Sequence, residues 1–215
     1  LAEYCHEPRA GPAPPARPAP PRVFGAGRRV RFRGFKVGVF GPAGALRGKY
    51  MHREWLTASV ASGFGFCDVV LGWDLADQLY DNGSYTGWHT GYPDALAKID
   101  LSTFRKIPWE NDVPFFLGEM IEKDGGPSTV CPRQLLKRVL GEANGMGYLP
   151  FFSQEFEWYN FAETPQSVSD KQYKNLTPLT PGMFGYSILR SSLQNPFFND
   201  LFDLLKKFNI PLEGL

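Results

Sequence analysis

The sequence predicts an α+β protein, and three observations predict it. Between Arg29 and Glu122, strand-like stretches surround a single short helix, the pattern of a small α+β domain rather than of regular βα alternation. The composition changes at Pro127, beyond which a periodic helix, a strand, a long loop and a second helix open an α/β layer. With 215 residues, 43% of them hydrophobic, the chain has enough apolar material for one large or two small cores. The boundaries expected from this are a tail over 1–28, a first domain over 29–126 and a second over 127–215.

Charge and cysteine usage narrow the function classes. A net charge of +1 gives no strong field directed at nucleic acid, membranes or acidic partners. No apolar run is long enough to span a bilayer. Three scattered cysteines, Cys5, Cys67 and Cys131, form neither a CxxC pair nor an even framework, which suits a reducing, cytoplasmic setting and argues against a zinc–cysteine site. The chain begins at Leu1 with no charged-then-apolar leader, so it is expected to be a fragment at its start.

In chain order, half of the residues from Pro8 to Pro21 are proline, a composition that favours polyproline II and predicts a disordered tail. Arg29 to Phe40 alternates as a strand, interrupted at Gly34. Gly41-Pro42-Ala43-Gly44 then turns the chain into a second strand over Leu46 to Tyr50. The glycines and Lys49 invite a phosphate-loop reading, but Ala43 and Tyr50 stand where that motif needs Gly and Ser or Thr. His52 to Ala61 predicts a short helix with Trp55, Leu56 and Val60 on one side and Gly63 as its stop. Phe64 to Leu71 reads as a strand, and Gly72 to Asp94 as a long loop rich in Trp and Tyr. Ile99 to Ile107 and Val113 to Glu122 complete the strands, the second turning at Lys123 to Gly126.

Past Pro127, Pro132 opens a helix whose Leu135, Leu136, Val139, Leu140 and Ala143 recur at helical spacing. Phe151 to Asn160 (FFSQEFEWYN) predicts a buried strand. Alternation would place Glu155 and Glu157 on one face of it. Two carboxylates held together in an apolar setting need a shared proton, a basic partner or a divalent cation. Glu163 to Gly185 reads as a loop. Asn195-Pro196 starts a helix with Phe197, Leu201, Leu204, Leu205 and Phe208 on one stripe.

Five motifs carry a family resemblance. Leu46-Arg47-Gly48-Lys49, Gly72-Trp73-Asp74, Asp100 to Trp109 (DLSTFRKIPW), Pro132-Arg133 and Gln154-Glu155-Phe156-Glu157 stand in the order found in glutamine synthetases. From about Val30 to Leu215 the chain resembles the N-terminal part of a bacterial type I glutamine synthetase or of a glutamine-synthetase-like relative. That resemblance implies a β-grasp domain followed by the start of the catalytic α/β domain, ending before the remaining site residues, so that this fragment alone would be inactive. It implies a homo-oligomer with active sites between subunits. It further implies ATP-dependent joining of ammonia to glutamate through γ-glutamyl phosphate, with Mg²⁺ or Mn²⁺ at the phosphates.

By the same resemblance, Glu155 matches the metal ligand beside the ATP phosphates and Glu157 a ligand of the other metal. Asp74 matches the aspartate that binds and deprotonates ammonium. Asp77 and Asp81 compete with Asp74, because the loop here is longer than the family's usual one. Against each stands a plainer reading: a solvated carboxylate face for Glu155 and Glu157, a loop-capping role for Asp74. His52 and His89 lack partners at ligand spacing and read as surface or hydrogen-bonded residues, and Cys67 as a small buried one. Trp73, Trp88 and Tyr92 read as loop packing or subunit contacts. Two other functions remain in view. One is a γ-glutamyl-amine ligase that takes a larger amine; the other is a non-catalytic structural relative.

Overall fold

The computed structural model describes residues 32–80, 82–182 and 184–215. The proline-rich stretch of 1–28, Cys5 and Asp81 lie outside them. Five strands form one mixed sheet: β1 (Gly34–Phe40), β2 (Leu46–His52), β3 (Phe64–Cys67), β4 (Asp94–Ile107) and β5 (Val113–Ile121), in the order β2-β1-β5-β4-β3. β1 runs parallel to β5, and every other neighbouring pair is antiparallel.

The β1–β2 hairpin closes as its turn chemistry requires. The Gly41 amide donates to the Ala45 carbonyl, and Gly44 takes a φ of 79°, where a side chain is strained. Alternation then sorts the faces. Phe35, Val37 and Val39 are almost wholly buried and stand opposite Met51, Lys49 and Arg47, so these six share the inner face. Phe116 and Met120 of β5 and Ala97 and Ile99 of β4 continue that face into one core. Helix α1 (Leu56–Ser62) covers it with Leu56 and Val60, and Gly63 stops the helix at a φ of 77°.

β4 departs from a plain ladder at Asp100, where its register with β5 shifts until Arg105. Inside this bulge the Thr103 hydroxyl donates to the Asp100 carbonyl and accepts from the Leu117 amide, replacing the missing ladder bond. Phe104 turns inward onto Phe116, ring centroids 5.4 Å apart. The DLSTFR stretch is thus a built irregularity of the sheet.

Four helices follow: α2 (Pro132–Gly145), α3 (Pro165–Asp170), α4 (Ile188–Leu193) and α5 (Asn195–Lys207). The α5 stripe foreseen from spacing is the half-buried side of that helix. Phe208, just past its end, packs against Trp109 and Phe115 on the outer face of the sheet, at 5.2 and 6.0 Å. Among the described residues no helix is long and apolar enough to cross a membrane.

Several expectations need correction. Residues 68–71 form a 3-10 turn rather than the end of a strand, anchored by the buried Asp68–Thr86 hydrogen bond. β4 begins earlier, at Asp94, because β3 pairs with its first four residues. Trp55 points to solvent, preceding the helix in a short 3-10 turn. Two short helices interrupt or follow the expected 163–185 loop. The largest correction concerns Phe151 to Asn160, which is neither strand nor buried. Its residues carry no regular structure, and all but Asn160 are exposed. A strand needs a neighbour to take its ladder bonds, and the bridge next described along the chain is at Phe161, which pairs with Pro178 as the Asn160 carbonyl accepts from the Leu179 amide.

Candidate functional site

Glu155 and Glu157 lie on that exposed segment between α2 and the 161–178 loop. Both carboxylates are exposed, and among the described residues neither takes part in a hydrogen bond or ion pair. Among the described residues, no group of three or more His, Cys, Asp or Glu side chains converges as a metal centre. The pair nevertheless fits a hard cation in kind. Mg²⁺ takes oxygen donors and commonly binds through one or two carboxylates, with water and substrate phosphates completing its shell.

Two charged clusters frame the segment. Upstream, α2 is fastened to the outer face of the sheet by its first two turns. Arg133 pairs with Asp100 of β4 and lies 3.6 Å from Glu119 of β5, and Lys137, one turn on, reaches the same two carboxylates at 3.4 and 2.7 Å. Burial acts to raise the Asp100 carboxyl. Hydrogen bonds from Ser102 and Arg133 and the charges of Lys137 and Arg133 together outweigh it and hold the group down at about 2. Downstream, the 161–178 loop closes around Glu163, whose carboxylate accepts from Lys171 Nζ at 2.5 Å, Ser167 Oγ at 2.5 Å and the Thr177 amide at 2.6 Å. Those bonds, Lys171 first, lower Glu163 to about 2. The Leu179 amide bonds the Asn160 carbonyl, so this loop anchors the far end of the glutamate segment.

Asp74 sits in a small turn, where Trp73 bridges to Leu79 and the Tyr80 amide donates to the Gly72 carbonyl. Its Oδ1 accepts from the Ala76 and Gln78 amides at 2.8 and 2.9 Å, so one carboxylate oxygen caps the turn, as the plainer reading expects. Asp77, at a φ of 62°, pairs with Arg47. No hydrogen bond, ion pair or ring contact among the described residues joins Asp74 to Glu155 or Glu157; the structure does not gather the three into one site. His52 is exposed beside Glu54, and His89 lies 3.1 Å from the Ser84 carbonyl, as surface histidines do. Cys67 is half-buried against the Tyr92 carbonyl, and Cys131 is buried. Trp88 stacks edge-on to Tyr92 at 5.4 Å yet is largely exposed.

Sequence reasoning missed Arg47, Glu119, Lys137 and Glu163 as cluster members. Only the i, i+4 spacing of Arg133 and Lys137 signalled a shared helix face; their acidic partners come from other strands.

No family model matches the chain. It is 49% identical over 172 residues to type-1 glutamine synthetase 2 of Dictyostelium discoideum, a match covering 80% of this chain and 33% of that protein. It is 30% identical over 180 residues to the glutamate–isopropylamine ligase of a Pseudomonas species, covering 83% of this chain and 39% of that one. The gamma-glutamylethanolamide synthetase GlnA4 of Streptomyces coelicolor is 29% identical over 154 residues, 71% of this chain and 33% of its own. The chain therefore spans little more than a third of the length of these curated relatives. A crystal structure of a novel glutamine synthase homolog aligns with a TM-score of 0.45 at 21% identity, over 55% of this chain and 28% of its own.

Proposed function

We propose, from the premise that the chain belongs to the glutamine synthetase family, that it is part of an ATP-dependent carbon–nitrogen ligase that forms glutamine from glutamate and ammonia. The observation that carries this reading is the 49% identity to a type-1 glutamine synthetase over 80% of the chain. In this reaction the γ-carboxylate of glutamate attacks the terminal phosphorus of ATP and ADP leaves. The nitrogen lone pair then attacks the acyl carbon, and phosphate leaves with the former carboxylate oxygen. Glu155 and Glu157 are assigned to hold Mg²⁺ or Mn²⁺, which when bound neutralises charge on the transferring phosphoryl group. Asp74 is assigned to the acceptor side, where its carboxylate binds ammonium and takes the proton that frees the nitrogen lone pair.

The same reading makes the sheet and α1 a β-grasp domain over 29–126 and α2 onward the beginning of the catalytic domain. It places the protein in the cytoplasm, in homo-oligomers with sites between subunits. The central parallel pair β1–β5, with a helix across the inner face, supports the β-grasp assignment. A larger amine as acceptor is the second reading, favoured by the names of the relatives at 30% and 29% identity. The paired open carboxylates weigh against a purely structural role, in which neither would be needed.

Calorimetric titration of Mn²⁺ into the wild type, Glu155→Ala and Glu157→Ala tests the metal assignment. Each substitution is expected to weaken binding about tenfold or more, and unchanged isotherms would refute it. Competition between ammonium and isopropylamine in an ADP-release assay separates the two acceptor readings.

A further inference from the structure

Arg47 is a cation on the inner face of an edge strand, opposite the buried Val39 and two residues from Lys49. It does not reach for solvent. Its Nη2 donates to the Asp74 carbonyl at 2.9 Å, its Nη1 pairs with the Asp77 carboxylate, and its guanidinium lies 5.4 Å from the Trp73 ring centroid. Three contacts thus fall on three residues that bracket one turn, and the side chain is only 21% exposed in making them. A planar fork can serve a carbonyl, a carboxylate and an aromatic face together; a lysine ammonium is a single point charge and cannot. Trp73 also packs against the core, but beyond it Arg47 is, among the described residues, the outside contact of the polar tip, where the Ala76 and Gln78 amides bond only to the Asp74 carboxylate within the turn.

We infer that Arg47 is a positioning residue, clamping the 73–79 turn to the β1–β2 hairpin and so setting where the Asp74 carboxylate stands. The inference rests on the acceptor-side reading of Asp74 given above. It follows that the hairpin, although it carries no reacting group, governs affinity for the amine acceptor. Arg47 touches the turn's backbone and Asp77 but not the Asp74 carboxylate, whose Oδ1 is engaged by the Ala76 and Gln78 amides. Its loss therefore displaces that carboxylate without removing it.

The test combines amide hydrogen exchange with steady-state kinetics of the full protein, using Arg47→Met, Arg47→Lys and Asp74→Asn. Arg47→Met is expected to speed exchange of the Asp74, Gln78 and Tyr80 amides about tenfold while β4 and β5 keep wild-type protection. It should raise KM for the acceptor amine by a similar factor without moving KM for ATP or glutamate, and Arg47→Lys should fall between. Unchanged exchange in the turn overturns the inference. So does faster exchange with an unmoved acceptor KM, provided Asp74→Asn raises that KM. If Asp74→Asn leaves acceptor KM unmoved, the acceptor-side reading of Asp74 itself fails, and the inference falls with it. Should Arg47→Met also deprotect β4 and β5, Arg47→Lys, which retains the charge, decides on the same two readouts.

Discussion

The sheet of residues 34–121 and the stretch from Met146 to Phe161 are both rich in aromatic and aliphatic side chains, yet they treat them oppositely. In the sheet, Phe35, Phe116 and Met120 are almost inaccessible, and alternate residues of β5 are buried along its whole length. In the later stretch Phe151 is 86% exposed, and Phe152, Phe156 and Tyr159 are close behind. None of the described residues after Cys131 is buried. The difference does not lie in hydrophobicity. The sheet has a ladder partner for each strand and a helix over one face, so its apolar groups meet one another. Residues 151–158 belong to no described strand or helix, and apolar content alone does not organise a backbone into a ladder. Polar clusters, rather than a core, hold the second region: Asp100–Arg133–Lys137–Glu119 at its entry and Glu163 at its exit.

Phe116→Ala should break this contrast most deeply. The ring is fully buried against Phe35 and Phe104, so its loss is expected to cost about 3–5 kcal/mol by denaturant unfolding. No exposed aromatic of 146–161 should cost a comparable amount, and one that did would show the stretch to be packed in solution. Next in size, Arg133→Met removes the guanidinium from two carboxylates whose side chains are 16% and 15% exposed. A loss of about 1–3 kcal/mol is expected, below the fully buried case because Lys137 remains.

Acid should expose the same clusters in a milder way. The Asp100 carboxyl is depressed from its ordinary 3.8 to about 2. Its contribution is therefore complete above pH 3.8 and is lost as pH falls through about 2. Glu163 is depressed from 4.5 to about 2, so closure of the 161–178 loop weakens over the corresponding window. In acid titrations followed by NMR, the Thr177 amide signal should move with Glu163 and stay unchanged in Glu163→Gln. The shift should leave β1 and β5 untouched, and a coincident change in those strands would join the two regions into one cooperative unit.

Much of the sheet is legible in the sequence. The turn at Gly41–Gly44, the alternation of β1 and β5, the stop at Gly63 and the α5 stripe follow from φ preferences and from periods of two and 3.6 residues. The motif residues were legible too, though not their use. Asp100-Leu-Ser-Thr-Phe-Arg and Pro132-Arg133 were recognised as separate signatures, and only the fold shows that Asp100 and Arg133 are each other's partners. Arg47 and Trp73-Asp74 were likewise separate, and the fold makes the arginine the clamp of that turn.

For Glu155 and Glu157, alternation argued for a buried strand and the structure refuses it, because burial and pairing are relations between segments that no local pattern contains. The sequence by itself determined the α+β class, the turns and the identity of the candidate residues, since those depend on steric and chemical properties of single residues and their near neighbours. Tertiary structure alone decided which charges meet, which faces are covered and where the glutamate segment lies, since each depends on contacts between residues distant in the chain.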